Sequence, residues 1–166
     1  MMEAFLFSVI DTLQTSQLNH FVMDNAVVFP VLEMAHFLGL SMLFGALLIV
    51  DLRLIGVAKK IPINHVESFL RFALIGFAIN AITGVLFVIG DPGRYLVNIA
   101  FGLKMLVIGL AGVNTLYFVK RVKPQLDNAH KVQTAGAEAA IVAWLSIVLW
   151  LSVIVLGRFI PYVETP

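Results

Sequence analysis

The chain has 166 residues, of which 60% are hydrophobic and only 13% charged, with a mean hydropathy of +0.98. That composition excludes an ordinary soluble domain, and the absence of cysteine excludes disulfides, thiolate metal sites, iron–sulfur clusters and haem attached covalently through Cys-x-x-Cys-His. A net charge of +1 without a basic cluster points away from nucleic acid, leaving the lipid bilayer as the obvious partner.

In chain order, residues 3–17 are too short and too polar to span. Phe5, Leu6, Val9, Ile10 and Leu13 recur at helical spacing, so an amphipathic helix in the membrane interface is predicted. No Lys or Arg precedes Arg53, so the positive n-region of a cleavable signal peptide is missing. Four apolar segments follow, over 29–57, 66–89, 95–119 and 135–163, each near the roughly 20 residues needed to cross a bilayer. Pro30 falls in the first turn of span one, where proline is tolerated. Gly90-Asp91-Pro92-Gly93 is a strong turn between spans two and three. The predicted fold is all-α: an integral membrane four-helix bundle, a single membrane domain over 1–166, with an N-terminal interfacial helix.

Charge placement sets the predicted orientation. Arg53, Lys59, Lys60, Arg71, Lys120, Arg121, Lys123 and Lys131 fall at one end of the spans, against Arg94 and Arg158 at the other. The positive-inside rule puts the first group in the cytoplasm and both termini outside, as in a bacterial inner membrane.

An ionisable residue inside such a span is a functional hypothesis by default. His36 lies roughly 10 Å below the outer end of span one, with Glu33 one turn earlier. Lys104 on span three and Arg158 on span four fall in the same outer half, as do Asn80, Thr83, Asn98 and Trp150. This set suits haem b. Imidazole is a standard axial ligand whose second nitrogen is tuned by a hydrogen-bond partner, a role open to Glu33. Lys104 and Arg158 would neutralise propionates, and Gly39, one turn beyond His36, would leave room for a flat ring. The alternative is a polar network that only fixes helix packing. Gly102, Gly109 and Gly112 read as close helix contacts, and Asp51 and Arg71, at matched depth on antiparallel spans, predict an ion pair. His20 is a conceivable second ligand, His65 lies a bilayer away, and His130 falls in the polar loop.

The segments Glu33-Met-Ala-His36-Phe-Leu-Gly39, Asp51-Leu-Arg53-Leu and Gly157-Arg158 resemble those of an uncharacterised bacterial four-span membrane family, over nearly the whole chain. More distantly, the first-span His36 and the run Lys104-Met-Leu-Val107 resemble the HemJ-type protoporphyrinogen oxidases. That resemblance implies haem b on His36 and a requirement for Lys104. Gly102-Leu-Lys104 and Gly112-Val-Asn114 resemble the CopD copper-resistance membrane family. The sequence therefore predicts a haem b protein of electron transfer or porphyrin redox chemistry, with His36 as metal ligand and a second copy or a membrane redox partner as company. Copper or small-solute transport or resistance, and a cofactor-free accessory subunit, are the alternatives; Met34, Met42 and Met105 are scattered without a Met-x-x-Met pair, which speaks against a soft copper pathway. No soluble-enzyme motif fixes a catalytic residue.

Overall fold

The computed structural model describes residues 2–62, 65–128 and 136–163, all helix or short connection with no strand among them. The expectations for His130, Lys131 and a span start at residue 135 fall outside the described residues. The helices are α1 (Met2–Gln14), α2 (Gln17–Met23), α3 (Val28–Ile55), α4 (Val66–Gly90), α5 (Pro92–Leu96), α6 (Ile99–Tyr117), α7 (Lys123–Asn128) and α8 (Ala137–Phe159). Four of them, α3, α4, α6 with its continuation, and α8, are long and apolar enough to cross a membrane. At 28 residues α3 is about 42 Å long, more than the ~30 Å hydrocarbon core requires. Phe37, Leu38, Leu74, Ile82 and Ile141 are each more than 60% exposed on the bundle's outer surface. Water does not tolerate so large an apolar surface, whereas lipid does.

The N-terminal region differs from a single interfacial helix. Its chain turns at Thr15-Ser16, whose hydroxyls donate back to Asp11 O (2.9 Å) and Leu13 O (2.7 Å). Ser16 Oγ then accepts from Asn19 N and caps α2. The buried Asn19 donates to the carbonyls of Ile89 and Gly90, at 2.7 and 2.9 Å. These are among the last carbonyls of α4, which have no partner within the helix. Asn19 thus fastens the N-terminal region to the end of span two, something hydropathy does not reveal.

Each span end has a local cause. Gly56, at φ +94°, closes α3, with Gly56 N–H donating to Arg53 O and Val57 N–H to Leu52 O. This is a Schellman closure, and only glycine adopts that backbone without strain. Asp91 caps α5 through Arg94 N. Span three does not stop at 119. It runs through a π-turn, Phe118–Val122, into α7, where the missing N–H of Pro124 disturbs the regular ladder.

α3 is the hub. It packs along α4 on one side and against α8 on the other, α8 packs on α6, and the backbones of α4 and α6 stay apart. Leu43, Ala46, Leu47, Ala73, Ala111, Trp150 and Val153 form one core cluster, and a second lies nearer the lysine-rich end around Val50, Leu54, Val122 and Ala143.

Candidate functional site

The tightest crossing, α3 on α4, builds the site around His36. A Cβ on Gly76 would come within 2.6 Å of Leu43 N and 2.7 Å of Gly39 O, so the two backbones touch there. One turn toward the termini, a Cβ on Gly39 would meet Asn80 Nδ2 at 2.6 Å and Ile79 Cγ2 at 2.8 Å. The space predicted for a flat ring beside Gly39 is therefore filled by α4. Asn80 is spent on packing, with its Nδ2 donating to Gly76 O at 3.0 Å. Gly102, Gly109 and Gly112, expected to make close contacts, have no atom within 4 Å of a Cβ. The small-residue contact belongs to Gly39 and Gly76 instead, because only there does a neighbouring backbone approach.

Beyond Asn80, the same stripe of α4 presents Thr83 and Phe87 to His36. His36 Nδ1 lies 2.7 Å from Thr83 Oγ1, and the ring tilts over Phe87 with centroids 5.2 Å apart. Phe87 in turn packs on Phe29, and a Cβ on Gly84 would just reach His36 Cε1 at 4.0 Å. Thr83 carries one hydroxyl proton and donates it to Ile79 O at 2.8 Å, the usual back-bond of a helical threonine. With that proton directed to Ile79 O, the Thr83 oxygen accepts from His36 Nδ1–H, the pairing of the tautomer whose lone pair is on Nε2. Nε2 makes no hydrogen bond to a described residue.

Of the two roles open to Glu33, partner of His36 or interface residue, the first falls to Thr83. Glu33 is exposed and makes no hydrogen bond or ion pair among the described residues. Its charge is instead felt at Tyr95 on α5, whose phenol is raised above its ordinary value chiefly by burial. Arg94 opposes that rise, and Asp91 and Glu33 add to it.

Lys104 stands against Gly157 of α8, where a Cβ would sit 3.3 Å from its Nζ, and its charge acts on His36. No carboxylate among the described residues pairs with it. Arg158 is exposed, donating to the Tyr162 hydroxyl at 3.0 Å and lying 5.2 Å from that ring's centroid. Trp150 belongs to the apolar core with Leu43 and Val153. The α3–α4 pair thus brings His36 and Thr83 together and α6–α8 brings Lys104 to Gly157, while Gly39, Asn80 and Trp150 serve packing. Sequence reasoning placed Thr83 in the polar layer without its role. The signal was there: Asn80, Thr83 and Phe87 recur at i, i+3 and i+7, one face of α4.

His20 is exposed and paired with Asp24 at 3.1 Å. The predicted ion pair is not formed: Asp51 is buried and Arg71 exposed, where its long side chain keeps the guanidinium in a polar environment rather than losing its hydration. Asn98 is a clamp. It accepts from Ala100 N and Phe101 N to cap α6, and donates to Ile160 O (2.9 Å) and Val163 O (2.7 Å). Met34 and Met105 are both half exposed or more, and no three His, Asp or Glu side chains converge among the described residues.

Comparison with curated proteins and with solved structures gives no match. The model of a family of unknown function, DUF6644, matches residues 12–163, nearly the whole chain, and the protein belongs to that family.

Proposed function

We propose that this protein binds haem b within the membrane and works in electron transfer or porphyrin redox chemistry, with His36 as an axial ligand through Nε2. One observation carries the reading. Thr83 Oγ1 stands at hydrogen-bond distance from Nδ1, and in the tautomer that puts the hydrogen on Nδ1 the Nε2 lone pair is free, the arrangement in which ligating histidines are held. Such a hydrogen bond fixes the ring and raises its basicity as a ligand. A porphyrin brings four nitrogens of its own and asks one side chain of the protein. That suits a single intramembrane histidine better than a copper ion, which needs several side-chain ligands. Lys104 supplies a cation for a propionate, and Arg158, with one N–H on Tyr162, keeps further donors for a second. When bound, haem would supply one-electron chemistry; the chain would hold the iron ligand in one tautomer and keep the carboxylates ionised.

By the distribution of Lys and Arg, we place His36 in the half of the bilayer away from the cytoplasm, in a bacterial inner membrane. The test is the absorption spectrum of protein purified from cells supplied with a haem precursor. A Soret band with b-type α absorption, abolished or strongly shifted by His36→Ala in protein that still inserts, is expected. Colourless wild-type protein, or a spectrum indifferent to His36→Ala, defeats the reading.

A further inference from the structure

A second polar centre lies toward the lysine-rich end, where all four spans meet. Asp51 of α3 is 5% exposed, yet no cation among the described residues pairs with it. It borders a cavity of about 20 Å³, shared with Ser146 of α8, Asn114 and Thr115 of α6, and Leu70 of α4. That volume holds one water or one small ion. Asp51 is the only titratable side chain lining it, so neither α4, α6 nor α8 contributes a countercharge.

The hydrogen-bond inventory around this cavity is one-sided. Asn114 donates one Nδ2–H to Val142 O at 3.1 Å, and its Oδ1 accepts no hydrogen bond from a described residue. Thr115 gives its hydroxyl proton to Ala111 O at 2.9 Å, which leaves its oxygen as an acceptor. Ser146 lines the cavity together with Asp51. The polar lining thus sets the side-chain oxygens of Ser146, Asn114 and Thr115 around one carboxylate that has no cation beside it among the described residues. A buried carboxylate so placed calls for a proton or a positive charge. An all-oxygen set with one negative charge is the chemistry of a hard cation.

We propose that Asp51, Ser146, Asn114 and Thr115 form a binding site for a single small monovalent cation, of sodium size. The ion neutralises Asp51 in place of an ion pair and takes neutral ligands from the other three side chains. The site is separate from His36 and shares no residue with it, so it stands or falls independently of the haem reading.

The test is thermal unfolding of the purified protein in neutral detergent, titrated with NaCl at constant ionic strength against choline chloride, with KCl as comparison. A ligand that binds only the folded state raises stability with its concentration. Sodium should raise the melting temperature saturably, with potassium needing at least about tenfold more, and Asp51→Asn should remove the response. Ser146→Ala should raise the half-saturating sodium concentration about tenfold, as expected for one lost neutral ligand. Equal melting in sodium and choline would mean that water or a proton alone fills the cavity, and would overturn the proposal. A sodium response kept in Asp51→Asn would overturn it too. If Asp51→Asn does not insert, unchanged half-saturation in both Ser146→Ala and Thr115→Val is the defeating result, and raised half-saturation in either is the supporting one.

Discussion

Thr83 Oγ1 stands 2.7 Å from His36 Nδ1 and 2.8 Å from Ile79 O, so one threonine ties the imidazole of α3 to the backbone of α4 and leaves Nε2 as the nitrogen with no partner among the described residues. Thr83→Val keeps the volume and removes the acceptor. It should lower haem retention about 10–100-fold, the usual effect of losing a ligand's hydrogen-bond partner. Thr83→Ser should keep both. A Soret titration of the two variants is the check, and equal retention would mean that the contact does not orient the ligand.

Lys104 should trade stability against function. It keeps an ammonium in the membrane with no carboxylate partner among the described residues. Lys104→Met is expected to raise thermal stability by up to about 3 kcal/mol, the order of the cost of a lysine within a bilayer, and to weaken haem retention. Calorimetry and the absorption spectrum read the two effects separately. A variant both less stable and unchanged in haem content would contradict the assignment.

The glycines of α4 and α6 should behave oppositely. Gly76→Ala forces a methyl onto the α3 backbone and should cost about 1–3 kcal/mol by overpacking. Gly109→Ala meets nothing within 4 Å and should be neutral or slightly stabilising, since alanine is the better helix former. Thermal melts of the two single variants decide it.

Asn98→Ala removes a helix cap and two bonds to the carbonyls of Ile160 and Val163. A cap alone contributes about 1 kcal/mol, and each further bond about 1 kcal/mol, so a loss of roughly 2–3 kcal/mol is expected. Limited proteolysis should show earlier cleavage near the C-terminus.

Single cysteines can be introduced without background, because the chain has none. A cysteine replacing Lys59 or Asp127 should be shielded from an impermeant thiol reagent in intact cells, and one replacing Asp24 should be labelled. The reverse pattern would invert the orientation.

Much of this architecture is legible in the sequence because span length and hydropathy are local properties. Phe29–Val57 reads as a span with no knowledge of its neighbours, and His36 stands out because imidazole is costly there. Partnership is not local. Glu33 was the natural partner for His36 by spacing, yet Thr83, 47 residues away, takes the role because α4 crosses α3 at Gly39 and Gly76. Glycines gave the same difficulty. Nothing in an apolar run says which of Gly76 and Gly109 meets a backbone, since both fit a 3.6-residue period on some face. Asn19 and Asn98 were likewise hidden, since an asparagine that closes a distant helix end looks the same in sequence as one in a loop.

The extensive contacts of α3 with α4, and of α8 with α6, divide the bundle into two halves joined along α3 and α8. His36 and Thr83 both ride on the first half, and Lys104 and Gly157 both ride on the second. A small rotation of one half against the other would change the separation of imidazole and ammonium while leaving each local contact intact. The distance from imidazole to ammonium is therefore set by the seam between the halves and by neither local contact.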